Sequence, residues 1–459
     1  MESQAKAGSA QSWLSGAAIL WLEAAAVLVV SWRLWQQQRI PADLAVLLPA
    51  VALLAATASL VWRRRAFVFS LLPIALALNL LGLVTLAVIA PAFCFLQSVW
   101  SLLAVSLYLA LALNKQRIAW LGAWHVWVYC LSLGLVLLTF AIGTNPSGAG
   151  PKQWLAIGPF YFQPSELLKL TLAMLLAFQL GCEARASRSY LHAALAVSAS
   201  LVVLAIQGDL GATFILALTS ALMIYAASGR WRLLVAGMLL VLLAGTAAYK
   251  LVPHVRFRFG SWLNPWSEPL GTSYQVVQGL RAIAAGGITG QGLLTAESLH
   301  IPASHTDMVI AAIGERLGLA GSLATLGLYL ALLRQIRAIG RRAASQPLAL
   351  IALGVAMLIV GQAAVIIAGG TAMLPLTGVT LPLVSYGGSS LLVSYSALGV
   401  LEWVGATRAL AKRPPAGQQV SWQRAIYLAL ASALAVLAIW LLIWHVWGEA
   451  ILRQRLGGS

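Results

Sequence analysis

The sequence predicts an all-α, polytopic transmembrane protein of about thirteen spans, and three observations carry that prediction. Apolar residues make up 61% of the 459-residue chain and charged residues 9%, with a mean hydropathy of +0.89. A soluble globular domain carries about a quarter charged residues, so that class is excluded. Apolar runs of about 20 residues, the length that crosses a hydrocarbon core, recur along nearly the whole chain. Basic residues gather in alternate connections between those runs, as topology-setting loops do.

The runs fall roughly at 13–31, 43–62, 67–90, 93–113, 119–143, 165–181, 190–206, 210–228, 232–252, 308–333, 347–370, 388–407 and 425–447. The first is too long for a secretory signal and has no small-residue cleavage site after it, so it is expected to be retained. The pair between 93 and 143 has no clean cut. The run opening at Asp209 is short, which leaves open whether it crosses as a simple rod. Cys94, Cys130 and Cys182 lie in or beside apolar runs, too far apart for metal spacing, and read as small buried hydrophobes.

Of the 29 Lys and Arg residues, 18 fall in one set of alternate connections. These are Lys6, Arg63 to Arg65, Lys115 and Arg117, Arg185 and Arg188, Arg230 and Arg232, Arg334 to Arg342, and Arg408 to Arg424. The opposite set holds 8. The richer set, with the N-terminus, is therefore expected on the cytoplasmic side. The formal charge of +17 is then mostly a topology signal with some attraction to anionic lipid, and calls for no nucleic acid. Three polar, Gly- and Pro-rich segments fall on the outer face, at 144–164, 253–307 and 371–387. Long loops of this kind tend to carry function.

Each outer segment holds residues with two readings. Glu166 and Lys169, three apart at the head of a span, share a helix face and either line a polar cavity or form a structural ion pair. Asp209 is a chemical candidate by depth and a helix cap by position. Arg256 and Arg258 alternate with Phe257 and Phe259, which suits interfacial anchoring, and guanidinium also suits phosphate recognition. Residues 274–285 have amphipathic helical spacing and are expected to lie on the membrane surface. Gly286, Gly287, Gly290 and Gly292 read as a turn, because no strand precedes them. Asp307, one of only twelve acidic residues, stands where the longest loop becomes a span, as a base or as the cap of the next helix. In 374–391, Pro375, Pro382, Gly387 and Gly388 break the helix at membrane depth, which is tolerated where backbone lines a cavity. Up to this point an enzyme and a transporter explain the residues equally.

Four segments then occur together in one order: PKQWLAIGPFYFQPSELLKL, GDLGATF, the stretch from GTSYQVVQGLRAIAAGGITGQGL to IPASHTDMVIAAIGERLG, and LPLTGVTLPLVSYGGSSL. In this the chain resembles the SEDS family of peptidoglycan glycosyltransferases (RodA, FtsW and SpoVE), and most of all its RodA branch. The resemblance covers roughly residues 67–408, ten of the thirteen runs. It divides the chain into two extra spans over 1–66, a core over 67–408 with the outer loop 253–307, and a cytoplasmic linker with one further span over 409–459.

The resemblance implies polymerisation of lipid II into glycan strands at the outer face of the bacterial cytoplasmic membrane, in cell elongation and shape or in division. It carries the catalytic role to Asp307 and the polar-pair role to Glu166 and Lys169. The family's basic residue before the Trp is matched approximately by Lys152. With these, Gln163, Ser165, Asp209, Arg258, Gln278, His305, Thr306, Ser385, Gly387 and Gly388 are candidate substrate contacts. The chain departs from the family at Met308, usually aromatic, at Arg316, usually acidic, and at Ile366, an Asn in FtsW-like members. The implied partners are lipid II with the growing strand, membrane lipid, and a class B penicillin-binding protein.

The chemistry consistent with these residues is an inverting displacement of undecaprenyl pyrophosphate. Asp307 would be the general base on the attacking C4 hydroxyl. Arg258, Lys152 or a divalent cation, Mg or Mn, would stabilise the leaving phosphate, although the sequence holds no dedicated ligand cluster. The alternatives are a flippase for lipid II or another lipid-linked sugar, which needs no base, and a scaffold, which gains nothing from charges buried among the spans.

Overall fold

The structure, a computed structural model, describes residues 71–113, 119–146, 148, 150–158, 160–181, 187–293 and 301–407. The expected spans near 13–31, 43–62 and 425–447, the terminal segments 1–66 and 409–459, and Cys182 lie outside the described residues.

All ten runs expected in the core are helical. They are α1 (Leu72–Ile89), α2 (Cys94–Leu113), α3 (Ala119–Ile142), α4 (Pro164–Gly181), α5 (Ser187–Ile206), α6 (Leu210–Ser228), α7 (Trp231–Leu251) and α10 (Val309–Arg341). The last two are α13 (Gly388–Thr407) and one span made of α11 (Gln346–Ala356), a π turn (Met357–Gly361) and α12 (Gln362–Gly370). Between α7 and α10 lie two shorter helices, α8 (Pro253–Leu263) and α9 (Tyr274–Gly286). Eight of these helices, among the described residues, are long and apolar enough to cross a membrane by length and composition. The protein is a multi-pass helical membrane protein.

Burial sorts the helices into an inner and an outer set. Fifteen of the 18 residues of α4 are buried, so α4 stands at the centre despite carrying two charges. It packs against α3, α5, α6 and α11, while α13 lies along α2. A span in lipid gains little from apolar burial against its neighbours, so contact depends on close van der Waals fit. At Gly388 a Cβ would stand 2.2 Å from the Trp100 indole, so only glycine lets α13 approach α2 there. By contrast α7 buries a single residue, Leu234, and turns the rest of its apolar surface outward.

Several expectations need correction. The helix after Asp209 is a regular 19-residue rod, and at 1.5 Å per residue that suffices for a crossing. Helix α10 runs to Arg341, so Arg334, Arg337 and Arg341 are helical rather than loop residues. Ile336 and Ile339 keep a buried face there, while Arg334 and Arg341 are exposed and Arg337 is half-buried. Cys130 is exposed, on a face of α3 where outward-facing apolar residues are at home in lipid, whereas Cys94 is buried as expected. Segment 144–164 contains a small antiparallel hairpin, β1 (Leu155–Ile157) with β2 (Phe160–Phe162), paired Leu155 to Phe162. Helix α9 forms where amphipathic spacing placed it, but it packs on α10 rather than lying free for a lipid surface. Its Ala282 joins Ile301, Met308 and Ala311 in one apolar cluster.

The glycine-rich turn after α9 has a structural partner. Helix α10 kinks at Gly318, whose φ of 66° and ψ of −162° suit glycine alone. The kink frees backbone groups on both sides, and the turn meets them. Gln291 N–H donates to Glu315 O at 2.9 Å and Gly292 N–H to Arg316 O at 3.0 Å. In return Leu319 N–H donates to Gly287 O at 2.9 Å and Ala320 N–H to Ile288 O at 3.2 Å.

Candidate functional site

The three segments expected on the outer face converge at one end of the bundle. Tyr386 N–H donates to His305 O at 2.8 Å, and Ser385 Oγ donates to Thr306 O while accepting from Leu381 N–H at 2.9 Å. Gln97 of α2 clasps the same stretch, donating to Ser385 O and accepting from Gly387 N–H, each at 3.2 Å. From the long loop, Arg258 Nη1 donates to Leu376 O and Trp262 Nε1 to Ala372 O, both at 3.1 Å. From the hairpin side, Gln163 N–H donates to Ser389 Oγ at 2.8 Å, and Ser389 Oγ donates to Tyr161 O at 3.3 Å. Ala303, Ala372 and Leu383 are the non-glycine residues with positive φ among the described residues, and all three lie in these loops. Such strain persists where surrounding contacts over-determine the backbone, and it gathers at functional sites.

Asp307 sits at the centre of this convergence, half-buried, one residue before Met308 at the head of α10. Met308 occupies the cap position and no side chain caps the helix. Burial pushes the Asp307 carboxyl above its ordinary value of 3.8. The Thr306 hydroxyl, the charge of Arg258, the residue's own backbone N–H and His305 pull it partly back. His305 stacks on Phe93 with ring centroids 4.8 Å apart and planes within 16°. Burial lowers its pKa against the opposing pull of Asp307, which favours the neutral ring. The result is one carboxylate, one guanidinium and one neutral imidazole at a loop junction open to solvent. That set can take a proton from a hydroxyl and stabilise an anion beside it.

Behind this junction, Glu166 and Lys169 form the expected ion pair, with Nζ to Oε1 at 2.9 Å and both residues buried. Lys169 also donates to Gln362 Oε1 at 2.8 Å. The pair lines a small cavity of about 20 Å³, room for about one water, together with Gln362, Pro382, Ser390 and Ser394. The two readings of the pair thus coexist, since it is both an internal ion pair and a cavity wall. Asp209 is the N-cap of α6, accepting from Ala212 N–H at 3.0 Å, and it also accepts from Gln163 at 3.1 Å and Ser165 at 2.9 Å. Those bonds make Asp209, Gln163 and Ser165 a clasp between α4 and α6.

The remaining candidates scatter. Lys152 is exposed on the arm before the hairpin, and Gln278 is buried on α9. Gly387 and Gly388 serve the clasp with Gln97 and the contact with Trp100. Four residues join the site without having been singled out by the sequence: Phe93, Gln97, Gln362 and Thr380. Gln362 donates to Thr380 O at 2.9 Å. Among the described residues no group of three or more His, Cys, Asp or Glu side chains is arranged to hold a metal ion.

A family model described as a cell cycle protein, covering FtsW, RodA and SpoVE, matches residues 61–409. The peptidoglycan glycosyltransferase RodA of Mycobacterium tuberculosis is 37% identical over 284 residues, 58% of this chain and 60% of that protein. A probable peptidoglycan glycosyltransferase FtsW of Geobacter sulfurreducens is 34% identical over 292 residues, 61% of this chain and 77% of that protein. The chain thus spans about 60% of the length of the RodA relatives it matches. Among solved structures, the rod shape determining protein RodA of Thermus thermophilus aligns with a TM-score of 0.57 and 27% identity, over 75% of this chain and 99% of that one. A chain of a peptidoglycan synthase complex, described as coordinating polymerization and crosslinking, aligns with a TM-score of 0.64 and 30% identity, over 76% of this chain and all of that one.

Proposed function

The chain belongs to the FtsW/RodA/SpoVE family of cell cycle proteins, and from that premise we propose that it is a peptidoglycan glycosyltransferase. It polymerises lipid II into glycan strands at the outer face of the cytoplasmic membrane, with a RodA-like role in elongation. The observation that carries this reading is Asp307. It is a partly desolvated carboxylate beside Arg258 and a neutral His305, at the junction of three loops. The excess of basic residues in the alternate connections supports an outward-facing site.

In the reaction Asp307 removes the proton from the C4 hydroxyl of the attacking sugar, which displaces undecaprenyl pyrophosphate in one inverting step. Its raised pKa makes it a stronger base than a solvated carboxylate. Exposed Arg258, braced through Leu376 O, faces the departing pyrophosphate. Among the described residues around Asp307 there is one carboxylate, and Mg²⁺ is commonly held by one or two carboxylates together with substrate phosphates. Mg or Mn, if required, arrives with the pyrophosphate. The partner is a class B penicillin-binding protein. Support for this comes from the fold shared with a chain of a peptidoglycan synthase complex.

The test is polymerisation of purified lipid II by the full chain, with and without that partner, for the wild type and Asp307→Asn. The expected loss is on the order of 10²–10⁴-fold, the contribution of a general base. A correctly folded Asp307→Asn protein that polymerises at the normal rate sinks the assignment. A wild type that makes no polymer but moves lipid II across vesicles points to a flippase.

A further inference from the structure

The polar groups at the two levels of the site are joined through one side chain. Lys169 Nζ donates to Gln362 Oε1 at 2.8 Å, and Gln362 Nε2 donates to Thr380 O at 2.9 Å. Thr380 precedes Leu381, whose N–H is held by Ser385 Oγ at 2.9 Å. Ser385 Oγ in turn donates to Thr306 O, next to Asp307. Lys169, Gln362 and Ser385 are each buried to within 3% exposure, so water competes little for these bonds.

The π turn explains why residue 362 stands there. Met357–Gly361 interrupts the span immediately before Gln362. One extra residue per turn rotates everything after it by about 100° relative to a regular α-helix. Without that offset the Gln362 side chain would point to another neighbour. π turns of this kind are frequent at functional sites. The chemistry also selects the residue. An amide accepts from an ammonium with its oxygen and donates to a carbonyl with its nitrogen. A carboxylate only accepts, an ammonium only donates, and Asn is one methylene shorter.

We propose that Gln362 is a positioning residue for the transfer reaction, coupling the buried Glu166–Lys169 pair to the broken segment that holds the Asp307 loop. The proposal rests on the glycosyltransferase reading of Asp307. Gln362 touches no reacting atom. It fixes Thr380, and through Ser385 and Thr306 it fixes the aim of the base. A displacement of about 1 Å at a reacting group costs on the order of 10²-fold in rate.

The experiment uses the full-length protein with its partner and compares the wild type with Gln362→Glu and Gln362→Leu. Gln362→Glu keeps the acceptor for Lys169 and removes the donor to Thr380 O, whereas Gln362→Leu removes both. Lipid II polymerisation gives kcat and KM, and hydrogen exchange reads protection over 303–308 and 376–387. The expected result for Gln362→Glu is a fall in kcat of about 10- to 100-fold at unchanged KM. Protection is lost in those two stretches and kept in α2 and α4. Wild-type kcat with unchanged exchange overturns the proposal. So does a rise in KM alone, which makes Gln362 a substrate contact, and so does a uniform loss of protection across the bundle. If the wild type itself makes no polymer, the glycosyltransferase reading falls, while the exchange pattern still decides whether Gln362 fixes the loops.

Discussion

Replacing Lys169 with Met tests the interior of the bundle most directly. The mutation leaves Glu166 as a carboxylate 6% exposed, deprived of an ammonium that stood 2.9 Å from Oε1. Removing one partner of a buried pair costs about 3–5 kcal/mol, because the remaining charge stays desolvated. That corresponds to about two to four decades in the folded-to-unfolded ratio. Gln362 Oε1 loses its donor as well, although its nitrogen still reaches Thr380 O. The double variant Glu166→Gln, Lys169→Met removes both charges at nearly constant volume. It should lose far less than either single change, since a buried pair adds little over a well-packed neutral substitute. Equilibrium unfolding of the full chain in detergent micelles, compared across the wild type, both single variants and the double, measures the difference. Single variants no less stable than the double would show that the pair is wetted through the small cavity beside it and would refute the reasoning from desolvation.

Four further outcomes are expected. The polymerisation rate should fall as pH drops through the raised pKa of Asp307, so its acid limb should lie above the usual carboxylate range. Arg258→Gln removes a charge that pulls this pKa down, so the limb should move to still higher pH, and an unmoved limb in a pH–rate profile denies the coupling. Ser385→Ala leaves Leu381 N–H and Thr306 O without their partner, at about 1–3 kcal/mol for each buried group, and should lower both unfolding stability and kcat. Gly318→Ala imposes backbone strain of about 1–3 kcal/mol. It also brings a Cβ to 2.4 Å from Gly290 N and Ile288 O. It should yield a markedly less stable protein, and a variant that melts with the wild type argues against the kink.

What the sequence made legible was local. Hydropathy located the ten core helices because most crossings are written as one long apolar run, the pair between 93 and 143 being the one without a clean cut. The Glu166–Lys169 pair was readable because residues three apart share a helix face. The choice at Asp209 was not readable in advance, since a cap and a buried acid look alike until Gln163 and Ser165 are seen donating to it. Gln362 escaped because its orientation depends on the π turn, and an extra residue per turn leaves no mark on an apolar run. Phe93 and Gln97 escaped because their partners, His305 and Ser385, lie about 200 to 290 residues away in the chain. The α9 expectation failed in the same way: amphipathic spacing shows that a face is apolar, and only Met308 and Ala311 show what covers it.

The bonds between 287–292 and the Gly318 kink also bear on the order in which the protein is assembled. A helix that bends inside a bilayer with its freed amides and carbonyls unmet loses several kcal/mol for each group. Helix α10 therefore has reason to enter the membrane straight and to bend only after the glycine turn has reached it. The loop that precedes α10 and the kink thus support each other, and Asp307, eleven residues ahead of Gly318, depends on both.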